Sequence, residues 1–195
     1  MQALKIPHFT EAEYLEYDRT HEGRHEFVNG EIIAMAGASF AHLRLASNAM
    51  IALGRTLSGR PCVPYASDLR VAIDETGLYA YPDITVVCGE PDLAATTPET
   101  LLNPTVLIEV LSESTASYDR GEKLEHYRRR ASVQAVVLID SREVRVTVVS
   151  RNPDATWTIT DATAGAIRVP GIDVVLDLAE LYAGVTLGAA AASAG

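Results

Sequence analysis

Several features that mark particular classes of protein are scarce or missing in this sequence. It has two cysteines, Cys62 and Cys88, which form no CxxC pair, so we expect neither a zinc knuckle nor a disulfide framework. No apolar run approaches the roughly 20 residues of a membrane helix, and the first residues turn acidic too early for a signal peptide. Phosphate loops of the type G-x-G-x-x-G or G-x-x-x-x-G-K-S/T are also missing, which disfavours a nucleotide-cofactor enzyme. These absences predict a protein of the reducing cytoplasm without a membrane segment.

Positive charge is scarce as well. Lys and Arg together number 16 against 26 Asp and Glu, which gives a formal net charge of -10. Only Lys5 and Lys123 among these cations are lysines. This balance argues against broad, charge-driven binding to nucleic acid or to anionic membranes, although it leaves room for a local basic groove.

The order of helical and strand patterns predicts an α/β sandwich, with a mixed central β-sheet flanked by helices. The length suits a single domain, which we place at 1–187, followed by a disordered tail at 188–195. Thr10 and Ser39 are predicted to cap two helices. The other predicted elements are hairpin strands at about 24–28 and 31–35 around Asn29-Gly30, strands at 64–74, 81–87 and 105–111, a helix at 117–131, a strand at 134–140, and a C-terminal hairpin at 143–150 and 155–160.

One acidic residue stands inside a strand that should be fully buried. Glu109 interrupts the aliphatic segment TVLIEVL at 105–111, where an isolated carboxylate would cost many kcal/mol. A second carboxylate, Asp83, precedes the apolar strand of YPDITVV and would face Glu109 if the two strands pair. Two such carboxylates either share one proton or hold a hard cation between their oxygens. A divalent metal is the more economical interpretation, since Mg²⁺ is usually held by only one or two carboxylates.

Metal-assisted chemistry would also need a protein cation beside the carboxylates. The position two residues beyond Glu109, on the same face of the strand, holds Leu111. On the following helix Asp119, Lys123 and Tyr127 are spaced four residues apart and share one face. Lys123 is therefore the candidate for the missing charge.

Structural roles are the alternatives for these residues. Glu109 would then be a buried ion-pair partner of Arg44, Arg70 or His42. Lys123 would be an ordinary neighbour of other polar residues on the helix surface, and the arginine run that follows it would be a solvated helix end.

The segments YPDITVV, PTVLIEVLSEST and YDRGEKLEHYRR, preceded by HEFVNGEIIAMAG, resemble the Uma-two family of restriction-endonuclease-type proteins (domain of unknown function 820), within the PD-(D/E)XK nuclease superfamily. The resemblance runs from about Glu11 to Asp140 and is weaker beyond. It implies a restriction-endonuclease-like sandwich with N-terminal and C-terminal hairpin additions. It also implies that Asp83, Glu109 and the Val110 carbonyl are metal ligands.

The resemblance further implies where the other catalytic groups lie. The superfamily pattern places a lysine where this sequence has Leu111, and the family relocates that lysine to the helix, which maps onto Lys123. Tyr127 matches the tyrosine of a Q-x-x-x-Y-like helix signature. Glu26, in the N-terminal hairpin, would help a second metal or orient water. The implied catalytic residues are thus Asp83, Glu109, Lys123, Glu26 and Tyr127.

The implied function is a Mg²⁺-dependent endonuclease, with Mn²⁺ as a substitute metal, that hydrolyses DNA phosphodiester bonds. We expect DNA contacts from Arg120, Arg128, Arg129 and Arg130, and a homodimer would let paired sites cut both strands. The alternative is a catalytically inactive nuclease-fold domain that binds nucleic acid or a protein partner. A carboxylate-pair glycosidase is disfavoured, because its acids flank an open sugar cleft.

Overall fold

The computed structural model describes residues 8–35, 37–95 and 99–187, which form five helices and thirteen strands. The helices are α1 (Glu11–Thr20), α2 (Phe40–Leu57), α3 (Ala116–Arg120), α4 (Glu122–Arg129) and α5 (Leu178–Leu181). The strands are β1 (His25–Val28), β2 (Glu31–Ala34), β3 (Cys62–Ala66), β4 (Arg70–Ile73), β5 (Leu78–Ala80), β6 (Ile84–Cys88), β7 (Thr100–Leu101), β8 (Val106–Leu111), β9 (Ala135–Asp140), β10 (Val146–Arg151), β11 (Trp157–Ala162), β12 (Ala166–Val169) and β13 (Val174–Asp177).

Local sequence signals set the N-terminal part of the fold. Helix α1 begins with a capping box, in which the Thr10 and Glu13 side chains each accept a hydrogen bond from the other residue's backbone N–H. Asn29 and Gly30 adopt positive φ values of 52° and 84° in the tight turn between β1 and β2. The predicted helix and hairpin are therefore confirmed. The hairpin belongs to a five-stranded sheet with the order β2-β1-β5-β4-β7.

A mixed six-stranded sheet with the order β11-β10-β9-β8-β6-β3 forms the centre of the molecule. Strands β8 and β9 pair in parallel, and the other neighbours pair antiparallel. Leu45 and Leu53 of α2 belong to the hydrophobic core on one face of this sheet. Leu124 and Tyr127 of α4 belong to the core on the other face. The predicted α/β architecture, with a mixed sheet flanked by helices, is thus confirmed.

Two predicted elements differ from the structure, and one observed hairpin was not predicted. The strand predicted at 64–74 is two strands, β3 and β4, which belong to different sheets because Ser67 and Asp68 form a turn between them. The helix predicted at 117–131 is divided at Gly121 into α3 and α4. A side chain at position 121 would place its Cβ 2.9 Å from the Ser117 carbonyl oxygen, so the break depends on glycine. The hairpin of β12 and β13 was not predicted, because it lies beyond the segments with clear alternation.

The expectation of no disulfide is wrong in the structure. Cys62 on β3 and Cys88 on β6 lie directly opposite each other in the antiparallel register and form a disulfide. The sequence did not indicate this pairing, because only the strand register brings the two residues together. The single bridge links the edge strand to the strand that begins beside Asp83.

Two other expectations concern the ends and the surroundings of the chain. The tail predicted at 188–195 lies outside the described residues. Within the described ranges, no helix combines the length and the apolar character that crossing a membrane requires.

Candidate active site

The candidate site lies where β6 begins and β8 approaches its end. These strands pair antiparallel with Ile84 opposite Ile108, so extending the register by one residue sets Asp83 opposite Glu109. Both carboxylates line one cleft with a volume of about 1380 Å³. The structure therefore brings the two predicted acids together.

Glu109 has partners for its buried charge. The residue is 4 % exposed, on the face of β8 that α4 covers. Its Oε1 accepts a hydrogen bond of 2.7 Å from the Tyr127 hydroxyl and lies 2.9 Å from Lys123 Nζ. Burial raises the pKa of Glu109 to about 8, an effect that Lys123 opposes and the negative charge of Asp83 reinforces. The carboxyl group thus holds its proton more tightly than an exposed glutamate does.

Lys123 is the centre of a buried charge cluster. Its ammonium group lies 2.7 Å from Glu26 Oε1, 2.9 Å from Glu109 Oε1 and 3.5 Å from Asp119 Oδ1, and the residue is 3 % exposed. Burial alone would lower the pKa of Lys123, but the three carboxylates outweigh burial and raise it well above the ordinary value. The lysine is therefore charged at any pH at which the protein would work.

Asp83 is fixed at both of its oxygens. Oδ2 accepts a hydrogen bond of 2.7 Å from the Val110 N–H, and Oδ1 lies 2.8 Å from His42 Nε2. The other ring nitrogen of His42 is buried and has no hydrogen-bond partner among the described residues. An ionised carboxylate can only accept, so His42 Nε2 would be the donor to Asp83 in this contact. Asp83 is thus oriented by one side chain of α2 and by the backbone of β8.

The structure also decides between the alternative partners considered for Glu109. His42 contacts Asp83 instead, and Arg70 pairs with Asp18 at 3.0 Å. Arg44 donates a long hydrogen bond of 3.4 Å to the Ala183 carbonyl. The alternative of an ion pair between Glu109 and any of these three residues is therefore wrong.

The donor set of the cleft fits a hard divalent cation. Glu26, Glu109 and Asp119 contact the ammonium group of Lys123, and Asp83 lines the same cleft, so four carboxyl groups face one ammonium group. Among the described residues no three His, Cys, Asp or Glu side chains are grouped closely enough to hold a metal by themselves. Mg²⁺ does not need such a group, because it commonly takes one or two carboxylates and fills its octahedron with water and phosphate.

The four arginines predicted to contact DNA do not line the cleft: Arg120, Arg128, Arg129 and Arg130. Three of them pair with nearby carboxylates, at 2.6 to 3.4 Å, and the fourth is exposed. The guanidinium groups that do line the cleft belong to Arg24 and Arg142. Arg24 lies two residues before Glu26, which was the one sequence signal that could have indicated it.

Two residues of the site were not predicted to belong to it. Asp119 was taken only as a helix neighbour of Lys123, yet it is buried, at 5 % exposure, and contacts the lysine inside the cleft. The spacing of four residues was the available signal. His42 was considered only as an alternative partner of Glu109, and no local pattern connects it with Asp83, which is distant along the chain.

Comparisons with known proteins agree with this fold. A crystal structure of a "putative nuclease belonging to DUF820" from Anabaena variabilis is 20 % identical to this chain, with a TM-score of 0.73 over 89 % of this chain and 97 % of that one. This likeness confirms the predicted nuclease-like fold. In Synechocystis sp., "Uncharacterized protein sll1609" is 36 % identical over 152 residues, which cover 78 % of this chain and 86 % of the relative. "Uncharacterized protein slr1290" from the same organism is 30 % identical over 183 residues, covering 92 % and 94 %.

A family model described as "Putative restriction endonuclease" matches residues 11–179, which span α1 to the start of α5 and include every residue of the charge cluster. The chain therefore belongs to the Uma2 family of restriction-endonuclease-type proteins.

Proposed function

We propose that this protein is a metal-dependent endonuclease that hydrolyses DNA phosphodiester bonds in the cleft of Asp83 and Glu109. The observation that best supports the proposal is the position of Lys123, whose ammonium group lies 2.9 Å from Glu109 although it comes from α4. Leu111 occupies the place on β8 where a lysine would share a face with Glu109. The acid and the cation that phosphoryl transfer requires thus meet in space without being neighbours on one strand.

Asp83, Glu109 and the Val110 carbonyl would hold the metal, which we propose to be Mg²⁺, with Mn²⁺ as a substitute. In a strand the N–H and C=O of one residue point to the same edge, so the Val110 carbonyl faces the edge at which its N–H binds Asp83. When bound, the cation would polarise a phosphoryl oxygen and lower the pKa of a water ligand.

The protein side chains have separate roles in this proposal. Lys123 supplies the positive charge that stabilises the phosphate as negative charge builds up on it. Tyr127 orients Glu109 through its 2.7 Å hydrogen bond. Glu26 was expected to help a second metal or to orient water. Its 2.7 Å contact with Lys123 supports a different role, in which Glu26 positions the lysine. Asp119 shares that role from the preceding helix, α3.

The test is cleavage of supercoiled plasmid and of labelled DNA strands in the presence of Mg²⁺, Mn²⁺ or EDTA. Glu109→Gln should lower the rate at least about 100-fold, because a ligand should matter no less than the groups that orient it. Glu125→Gln is the matched control, since Glu125 lies exposed on α4, and among the described residues its ion pair is with Arg128. Cleavage that survives Glu109→Gln, or that EDTA does not stop, would refute the proposed site.

The second candidate is a nuclease-fold domain that binds nucleic acid or a protein partner without cutting. The net charge of -10 and the pairing of the predicted DNA-contacting arginines favour it. Metal-dependent cleavage that is lost in Glu109→Gln would exclude this candidate. Absence of cleavage on every substrate, with the protein folded, would favour it.

A further inference from the structure

We infer that the DNA bound in this cleft is an unpaired single strand, whose bases lie on an apolar wall beside the carboxylates. The inference rests on the proposed nuclease function and adds the class of substrate. By the apolar wall we mean Ile33 and Met35 at the end of β2, together with Leu43, Ala46 and Met50 of α2, all of which line the cleft.

The apolar wall is continuous with the charge cluster. Ile33 is paired directly with Glu26 across the β1–β2 hairpin, so their side chains are neighbours on one face of the sheet. On α2, Leu43 follows His42, the residue that contacts Asp83. A strand whose phosphate reaches Asp83 and Glu109 would therefore have its adjoining bases beside these apolar side chains.

The apolar wall is partly exposed. Leu43, Ala46 and Met50 fall at i, i+3 and i+7, which is one face of α2. Ala46 and Met50 are half-buried and pack against the core that contains Leu45 and Leu53. The exposed members of the wall are Leu43 at 54 %, Met35 at 40 % and Ile33 at 38 %. Exposed apolar surface that lines a cleft indicates a ligand with apolar faces, and unpaired bases provide such faces.

The cleft carries too little positive charge to neutralise the backbone of a duplex. Among the lining residues the arginines are Arg24 and Arg142. Arg24 forms an ion pair of 3.0 Å with Asp68 in which both side chains are exposed, and such a pair is weak, so a phosphate can replace Asp68 as partner. Arg142 is half exposed, but the buried carboxylate of Asp140 holds it at 3.0 Å. A duplex presents about one negative charge per 1.7 Å of its axis, and proteins that bind it neutralise several phosphates at once. With one arginine free to change its partner, the cleft suits a few phosphates of one strand.

The size and the depth of the cleft agree with this conclusion. Pockets for small molecules have volumes of about 300–1,000 Å³, so 1380 Å³ accommodates a few nucleotides. Glu109 and Lys123 are almost completely buried at the bottom. A single strand can bend into such a depth, whereas in a duplex the bases are stacked inside and would leave the apolar wall facing sugars and phosphates.

The experiment compares binding and cleavage of a short labelled single strand and of the same sequence as a hairpin duplex. Binding is measured by fluorescence anisotropy in EDTA, and cleavage is measured after addition of Mg²⁺. We expect the wild type to bind and to cut the single strand at least about tenfold better than the duplex. Leu43→Ser should reduce single-strand binding about tenfold and leave the weak duplex binding unchanged.

Ile51→Ser is the matched control. Ile51 lies on the same helix, is 58 % exposed and does not line the cleft, so this variant makes a similar change in surface polarity without touching the wall. It should bind the single strand as the wild type does. An equal loss in Leu43→Ser and Ile51→Ser would overturn the inference.

The remaining outcomes separate the substrate class from the proposed function. Mg²⁺-dependent cutting that prefers the duplex would overturn the single-strand inference and leave the nuclease proposal intact. Preferential binding of the single strand without any cutting would refute the nuclease and support the wall as a surface for bases. If the wild type is a dimer in gel filtration, and Leu43→Ser is monomeric with unchanged single-strand binding, the wall is an interface between copies and the inference is wrong.

Discussion

Replacing Lys123 by methionine tests whether this residue holds the site together. Methionine keeps the length and most of the volume of the lysine side chain, but it removes the ammonium group from within 2.7 to 3.5 Å of three carboxylates. Glu26, Glu109 and Asp119 are each no more than 5 % exposed. In the variant these carboxyl groups lose their contact with the ammonium group, and because they are buried they cannot replace it with hydration by water.

Breaking a buried ion pair by removal of one partner costs about 3–5 kcal/mol, because the other charge stays buried. For a chain of this size one kcal/mol corresponds to about 2–4 °C, so the melting temperature of Lys123→Met should fall by roughly 6–20 °C near pH 8. Burial and neighbouring carboxylates both raise the pKa of Glu109, and without the lysine nothing in the cluster opposes them. Protonation should therefore relieve the repulsion, and the loss should be smaller near pH 5 than near pH 8.

The assay is thermal and urea unfolding of the wild type and Lys123→Met at both pH values, with Glu125→Gln as a surface control on the same helix. Lys123→Arg keeps the charge and should lose less stability than Lys123→Met. A loss below about 1 kcal/mol at both pH values would contradict the reasoning, since it would place the carboxylates in contact with water. An equal loss at both pH values would show that packing, and not charge, is what methionine disturbs.

Three further predictions concern the groups around the cluster. His42→Ala should lower the cleavage rate in the plasmid assay about 10–100-fold, because it releases Asp83. His42→Gln should keep most of the rate, because the glutamine amide can donate from nearly the same place as Nε2. Burial raises the pKa of Glu109 to about 8, above its ordinary value of 4.5, so the protein without added metal should lose stability as the pH rises between these two values. Mg²⁺ should raise the melting temperature more near pH 8 than near pH 6, because it competes with the proton on Glu109. Equal shifts in melting temperature at the two pH values would exclude Glu109 as a ligand. Reduction of the Cys62–Cys88 disulfide, which closes a loop of 26 residues, should cost about 2–4 kcal/mol in unfolding experiments, and Cys62→Ser should not respond to reductant.

The location of the site could be predicted because one residue conflicts with the aliphatic pattern of its strand. Glu109 is a charged residue in a strand whose other side chains are all aliphatic, and such a conflict between local pattern and burial marks a functional position. Asp83 follows from the same reasoning, since pairing of two apolar strands sets it opposite Glu109. The inference for Glu109 needs only the composition of its own strand, whereas the inference for Asp83 also needs the two strands to pair, which the structure supplies.

The partners of these carboxylates could not be predicted in the same way. His42 reaches Asp83 from a helix whose docking angle is fixed by Leu45 and Leu53 in the core, and no spacing along the chain encodes that angle. The Cys62–Cys88 disulfide likewise depends on strand register alone. Contacts between elements distant in sequence are set by packing, so a single sequence reveals them only when a local conflict demands a partner.

The origin of the ammonium group on α4 links the chemistry of the site to the folding of one element. A lysine two residues from Glu109 on β8 would be held in the cleft by the sheet itself. Lys123 is held there only while α4 stays packed through Leu124 and Tyr127 against the sheet. Local opening of α4 would withdraw the ammonium group and the Tyr127 hydroxyl together, and it would leave Glu109 without either partner. Docking of this helix and assembly of the site are therefore one event, in which the charge that stabilises the fold is also the charge that the proposed reaction needs.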